Sequence, residues 1–218
     1  MSIVIAVDGT AASGKGTLAK RLAAHFGFAH LDSGSLYRRV ALGVLEAGGD
    51  PKNEQDALKA ARAVDPGRAA DPAIRTAEIG KIASVVSAFP PVRAALLEFQ
   101  RAFAHTEPGA VIDGRDIGTV ICPGATAKLF VDAKPEIRAR RRWLELQSMG
   151  LARDEAALLA EIKARDVADM SRPVSPLKRA PDAFLLDTSE MDIDAAFAAA
   201  LALVKPGVEN ALKARQGG

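Results

Sequence analysis

Short apolar runs alternate with longer segments of helical periodicity along this chain. "SIVIAVD", "AVIDG", "AKLFVDA" and "AFLLDT" are rich in branched residues and close on an Asp or one residue beyond it, and a weaker run, "FAHLDS", leads to Ser33. Near-continuous apolar strands separated by helices predict a parallel sheet covered on both faces. Helices are expected at Lys15–Phe26, Ser35–Ala47, Ile74–Phe89, Val92–Ala104, Glu136–Met149, Asp154–Met170 and Asp192–Val204. The prolines of "FPP" suit the start of the Val92 helix and break the one before it. The alternation points to one doubly wound α/β domain over 1–218, five parallel strands with helices on both faces. Two excursions interrupt it: a helical one from about Asn53 to Phe103, and an Arg-dense one from Glu136 to Pro181. The tail "KPGVENALKARQGG", with its Pro, Gly and charges, is expected to fray.

Composition narrows the class of protein without naming its chemistry. The 218 residues are 49% apolar and 26% charged, as in a globular protein, and the formal net charge of +2 gives no overall field to attract nucleic acid or anionic lipid. Cys122 is the single cysteine, which excludes an internal disulfide and a multi-Cys zinc site. "MSIVIAVDG" lacks a basic lead before its apolar run, and "AAFAAALALV" is shorter than the roughly 20 residues a membrane helix needs. A cytoplasmic enzyme or binding protein without a membrane partner is expected. His25, His30 and His105 are too scattered to suggest a metal site and are expected to pack or lie at the surface. Trp143 is expected to anchor packing, and Cys122 to be buried and inert.

The chemistry begins at "VDGTAASGKGTLAKRL". From Gly9 it reads as a Walker loop, and from Gly14 as Gly-x-Gly-x-x-Ala, a dinucleotide fingerprint. A fingerprint puts its first glycine directly after the strand, yet here Gly9 follows the strand and Gly14 comes later. The Walker reading therefore fits better. Backbone N–H groups of Gly9, Thr10, Ala11, Ala12, Ser13, Gly14, Lys15, Gly16 and Thr17 would wrap the phosphates while Lys15 reaches the β/γ oxygens. The sheet is accordingly of the P-loop NTPase type. Gly16 stands where the pattern wants Ser or Thr, with Thr17 next, the "GKGT" text of nucleoside monophosphate kinases.

No Asn-Lys-x-Asp base reader of a GTP switch is present. A phosphate acceptor is already an anion and needs no general base; the task is to hold several phosphates together, which arginine does best. Arg38 follows the second strand and Arg115 the third, at the carboxyl ends where open α/β sheets bind ligands. Asp113 ends its strand like a Walker-B acid and, with Thr17, would order Mg²⁺ directly or through water. Helical spacing puts Arg138, Arg141 and Arg142 on one face and turns Arg140 away. Arg165, Asp169 and Arg172 share another face if their helix persists to Pro173. Such arginines suit a lid that closes over phosphates.

"GTAASGKGT", "LDSGSLYR", "IRTAEIGKIAS…FPPVRAALLEFQRAF", "DGRDIGTVICP" and "AEIKARDVADMSRPVSPL" together resemble bacterial cytidylate kinases over nearly the whole chain. The resemblance implies ATP as donor, Mg²⁺, CMP or dCMP as acceptor, and a monomer with an acceptor lobe of about 33–105 and an Arg-rich lid of about 136–181. It also implies roles. Lys15, Arg38, Arg115, Arg165 and Arg172 would stabilise the transferring phosphates, with Arg38 and Arg115 clamping the acceptor phosphate. Asp32, Ser33, Tyr37 and Asp113 would line the acceptor site. Ser84 and Arg93 would face the cytosine with Asp116 nearby, while Arg165 and Asp169 hold the sugar and Arg172 reaches the base or phosphate. Ser and Arg suit the O2 and N3 acceptors of cytosine, and a carboxylate its amine. Two departures stand out. "NEQDALKAARAVDPGRAADPAI", Asn53–Ile74, is too short and Ala-rich for the small sheet that enterobacterial members insert there, so that sheet is expected to be reduced or absent. Ala168 stands where an arginine often occurs. Another small-molecule P-loop kinase, an NAD-linked oxidoreductase and a non-catalytic nucleotide-binding protein remain the alternatives.

Overall fold

The computed structural model describes residues 2–65 and 71–217. Five strands lie in one sheet: β1 (Val4–Gly9), β2 (Ala29–Asp32), β3 (Ala110–Gly114), β4 (Ala127–Asp132) and β5 (Phe184–Asp187). Their spatial order is β2-β3-β1-β4-β5, and β1 pairs in parallel with β3 and β4, as β4 does with β5. Among the described residues the helices are α1 (Lys15–Phe26), α2 (Ser33–Glu46), α3 (Glu54–Arg62), α4 (Ala77–Val86), α5 (Pro90–Phe103), α6 (Pro135–Ser148), α7 (Glu155–Ser171) and α8 (Ile193–Gln216). Central strands buried on both faces explain why their sequences run apolar without alternation: every residue of β1 and β3 is buried. On one face, Ile5, Val7, Val111, Leu129 and Val131 meet Leu18, Leu22, Ala196, Ala200 and Val204 of α1 and α8. Each fully buried Ile, Leu or Val contributes about 1.5–3 kcal/mol of apolar transfer.

The chain divides into two compact units, Met1–Leu31 with Ala104–Gly218, and Asp32–Phe103. The first holds the sheet apart from Asp32, with α1, α6, α7 and α8. The second packs α2 against α3 and α4, and α3 against α5.

Several boundaries differ from the sequence expectation for identifiable reasons. α2 starts at Ser33, two residues early, because the Asp32 side chain caps it by accepting from the Ser35 N–H. The helix expected over Ile74–Phe89 is broken at Thr76, whose hydroxyl caps α4; Pro72–Arg75 forms a separate 3₁₀ turn. α3 opens the excursion that the sequence reads as helical, capped by Asn53 and carrying Glu54 and Asp56 in its first turn, Lys59 and Arg62 in its last. No strand forms in 53–65 or 71–74; the Asp-Pro-Gly turn proper lies outside the described residues. The tail does not fray. α8 continues through Pro206 to Gln216 because Val204 and Val208 are fully buried and Arg215 reaches the Pro108 carbonyl at 2.8 Å. At this length α8 is apolar enough by composition to cross a bilayer, but its Ala196, Ala200, Val204 and Val208 stripe is packed into the core.

Candidate active site

The loop between β1 and α1 is shaped by its backbone. A Cβ on Gly9 would lie 2.0 Å from the Val131 carbonyl oxygen, so only glycine lets β1 pass β4 here. Ala12 (φ 59°) and Gly14 (φ 88°) take left-handed conformations that curl the chain. Gly14 caps α1 and brings no side chain of its own to the helix's first N–H groups, so the positive end of the helix faces the loop. The dinucleotide alternative needs its first glycine directly after the strand, but Gly14 stands well beyond the end of β1 at Gly9, as the cap of α1.

Neighbouring elements brace this loop from outside. Thr10 Oγ1 donates to Asp132 Oδ1 at 2.7 Å, and Ser13 Oγ to the Thr10 carbonyl at 3.0 Å. Arg138 Nη1 donates to the Ala11 carbonyl at 3.1 Å, while its Nε binds Ala133 O and its guanidinium pairs with Asp166. Arg141 binds the Thr188 hydroxyl and carbonyl and Met191 O; Thr188 Oγ1 lies 3.1 Å from the Ser13 carbonyl. This corrects the expectation that Arg138, Arg141 and Arg142 form one phosphate-facing row. Arg138 and Arg141 satisfy carbonyls at the end of the sheet, and Arg142 pairs with Glu145 on its own helix. Arg140 pairs with Glu155 and stacks over Trp143. Helical spacing identified the face, but the buried carbonyl partners come from segments far away in sequence.

Asp113, at the end of β3, is buried and points at α1: its Oδ2 lies 3.6 Å from where a Cβ on Gly16 would stand. Its Oδ1 is 2.8 Å from His30 Nε2, a neighbour whose sequence context predicts only a packing or surface role. No local signal could have found it, since the partners are 83 residues apart. Among the described residues no three His, Cys, Asp or Glu side chains cluster as a metal cage. Mg²⁺ asks for less, usually one or two protein oxygens plus phosphates and water. A single carboxylate beside the first turn of α1, where Thr17 is exposed, fits that donor set.

Beyond Asp113 the chain turns through Arg115 and Asp116 into a π-turn, Ile117–Ile121. Asp8, 4% exposed, holds that turn by accepting from the Ile117 and Gly118 N–H groups at 2.8 Å each. Burial pushes the Asp8 carboxyl up to about 6; the two N–H groups pull down, Asp116 pushes up and Arg115 pulls down. Arg115 donates from Nε to Asp169 Oδ2 at 2.8 Å and from Nη1 to the Gly114 carbonyl. Arg165 lies 3.9 Å from the same Asp169 oxygen. Burial works to raise the Asp169 carboxyl, but Arg115, with Arg165 and Arg172, outweighs it and holds it below the ordinary range. So Arg115, Arg165, Asp169 and Arg172 form one cluster, although α7 ends at Ser171 and Arg172 is already extended. Arg172 donates to the Ser175 carbonyl. Asp116 is buried.

Within the Asp32–Phe103 unit, Arg38 donates to the carbonyls of Ile74 and Thr76. Its guanidinium comes within 3.0 Å of where a Cβ on Gly80 would sit; a side chain there would displace the arginine. Ser84 Oγ donates to the Gly80 carbonyl one turn back. Arg93, 8% exposed, donates to the Ser87 carbonyl and lies over the Tyr37 ring at 5.3 Å. Ser33 is buried at the start of α2, beside the exposed Asp32 that caps it.

Residues 5–206 match the family model described as cytidylate kinase. A cytidylate kinase of Rhodopseudomonas palustris (strain TIE-1) is 58% identical over 203 residues, covering 93% of this chain and 96% of that protein. Cytidylate kinases of Nitrobacter winogradskyi and Bradyrhizobium diazoefficiens are 58% and 54% identical over the same shares. Among solved structures, an uncharacterized protein from Eubacterium ventriosum aligns with a TM-score of 0.54 at 17% identity, covering 94% of this chain and 99% of that one. That last likeness speaks to the fold alone.

Proposed function

The chain belongs to the cytidylate kinase family, and from this premise we propose that it transfers the γ-phosphoryl group of ATP to CMP or dCMP, giving CDP or dCDP and ADP. The observation that carries the reading is the loop of Gly9–Gly14 opening onto α1 with Asp113 over its first turn. The backbone N–H groups from Gly9 to Thr17 hold the β- and γ-phosphates of ATP, and Lys15 adds a mobile charge at the oxygens where negative charge shifts during transfer. Asp113 and Thr17 hold Mg²⁺, directly or through water; when bound it neutralises phosphate charge.

The acceptor is itself an anion, so no residue has to remove a proton. Arg38 and Arg115 clamp the acceptor phosphate and oppose the repulsion between donor and acceptor. Asp169, fixed by Arg115, accepts from the sugar hydroxyls with Arg165 beside it, and Arg172 serves the base or phosphate. Arg93 and Ser84 donate to the cytosine acceptors, Asp116 accepts from its amine, and Asp32, Ser33 and Tyr37 shape the acceptor pocket. Closure of the segments about 33–105 and 136–181 over the nucleotides would exclude water and suppress ATP hydrolysis. A monomer acting in the cytoplasm completes the reading.

A coupled ADP-release assay across CMP, dCMP, UMP, AMP, GMP and shikimate tests it. Turnover is expected with CMP and dCMP far above the rest. Absence of turnover with both cytidine nucleotides would overturn the assignment, and preference for another acceptor would move it to a different P-loop kinase.

A further inference from the structure

We propose that Arg138 and Thr188 are positioning residues for the phosphates of ATP: each holds a carbonyl of the phosphate loop from outside and so turns the N–H of the same peptide inward. The inference deepens the proposed function and rests on its donor site. A trans peptide carries its C=O and its N–H on opposite edges, so a donor that fixes the carbonyl also fixes the direction of the amide. Arg138 Nη1 donates to the Ala11 carbonyl at 3.1 Å, and the amide across that peptide belongs to Ala12. Thr188 Oγ1 donates to the Ser13 carbonyl at 3.1 Å, and the amide across that one belongs to Gly14. Thr188 Oγ1 also lies 3.2 Å from the Asp132 carbonyl, but the Thr188 N–H already serves that oxygen at 2.8 Å, which leaves the hydroxyl proton for Ser13. Ala12 takes a φ of 59°, sparsely populated for a residue with a Cβ, so its surroundings have to hold it there.

The sheet builds both braces. Gly9 of β1 pairs with Val131 of β4, so the chain leaving β4 runs beside the loop and sets Arg138, in the first turn of α6, against it. Val131 pairs in turn with Leu186 of β5, and Thr188 follows directly after that strand. Arg138 is 2% exposed and Thr188 1%, so water does not compete for their partners. The Arg138 guanidinium is committed elsewhere to the Ala133 carbonyl and, as a fork, to Asp166 of α7 at 3.1 and 2.6 Å, which fixes where Nη1 stands. Neither residue touches ATP in this arrangement. They keep the Ala12 and Gly14 amides aligned in the empty protein, so less freedom is lost when the phosphates bind.

Amide resonances of the full-length protein, followed by proton–nitrogen correlation NMR as ATP is added without acceptor, separate the possibilities. Isothermal titration supplies the ATP and CMP affinities of the same samples. In wild type the Ala12 and Gly14 amides should both move downfield as phosphate oxygens take their protons. Arg138→Lys keeps a cation beside Asp166 but not the fork that spans to Ala11. It should lose most of the Ala12 movement, keep that of Gly14, and weaken ATP about tenfold. Thr188→Val, similar in shape but without the hydroxyl, should do the converse and weaken ATP about fivefold. CMP affinity should stay within about twofold of wild type in both. Unchanged amide movements and ATP affinity in the Arg138 variant, even with a lower melting temperature, would overturn the inference and leave these residues as scaffold. Equal weakening of ATP and CMP would overturn it too. If the wild-type amides ignore ATP, the loop is not the donor site and the inference goes with it, a result separable from the others. Should Arg138→Lys not fold, Thr188→Val, which removes no charge, decides by the same measures.

Discussion

Arg115 donates from Nε to Asp169 Oδ2 at 2.8 Å, and the two side chains are only 15% and 7% exposed. The pair ties the end of β3 to the last turn of α7 and gives Arg115 a fixed direction before any ligand arrives. Removing one partner of a shielded pair costs up to about 3–5 kcal/mol when the other is left without a counter-charge. Asp169→Ala is expected to approach that cost in urea unfolding, Arg115→Ala to cost less because Asp169 keeps Arg165 and Arg172, and the double variant clearly less than their sum. Strictly additive losses would mean that the two residues do not act as a unit. Because the Asp169 carboxyl is held below its ordinary 3.8, its contribution is present above that value and is lost only as pH falls further. Between pH 5 and 8 this pair should leave the stability profile flat.

Arg93 gives a prediction about choice rather than stability. Its guanidinium is buried, spans from Ser87 to the Tyr37 ring, and in the proposed function donates to the base of the acceptor. Losing a charged hydrogen bond costs about 1.5–3 kcal/mol, so Arg93→Ala should reduce the CMP-to-UMP ratio of kcat/KM by at least about tenfold. Arg93→Lys, which keeps the charge but not the planar fork, should recover only part of it. An unchanged ratio in the alanine variant would remove Arg93 from base reading.

Much of the frame was legible locally. The span of α1 could be read to the residue because Gly14 and Gly27, both left-handed, bracket it, and β1 and β3 announce themselves as buried apolar runs. What could not be read was set by distant partners. His30 looks like any strand histidine until β2 is laid beside β3, and Arg138 looks like a phosphate ligand until Ala11, Ala133 and Asp166 are brought to it. The apolar stripe of α8 was visible, but Pro206 and Gly207 masked its continuation; a Cβ on Gly207 would lie 3.2 Å from the Thr126 carbonyl, a close approach that glycine eases.

The far end of α8 should therefore matter to the whole fold. Ending the chain after Val204 removes Val208, which is fully buried, and the contact of Arg215 with the Pro108 carbonyl. Burying a valine contributes about 1.5–3 kcal/mol, and each kcal/mol shifts Tm by about 2–4 °C at this size. The truncated protein should melt at least about 3 °C lower in a thermal unfolding experiment. An unchanged Tm would show that the segment beyond Val204 is dispensable to the core.

Asp8 supplies the pH-dependent prediction. Burial raises its carboxyl from an ordinary 3.8 to about 6 against the pull of the Ile117 and Gly118 N–H groups. The folded protein thus keeps a proton that the unfolded chain releases earlier. The sign follows: the Asp8 contribution to stability is greatest below pH 4, declines as pH rises towards 6, and is level above. A shift of about two units corresponds to roughly 3 kcal/mol across that window. Asp8→Asn keeps an acceptor but cannot ionise, so it should lack this decline. In urea unfolding at pH 4, 5, 6 and 7, wild type should lose up to about 3 kcal/mol relative to Asp8→Asn as pH rises. Comparing the two proteins at each pH cancels the titration of every other group. Parallel profiles would mean that the Asp8 proton leaves as readily in the folded state as in the unfolded one. Asp8 would then hold the Ile117 turn, and with it the loop carrying Arg115 and Asp116, as a carboxylate throughout.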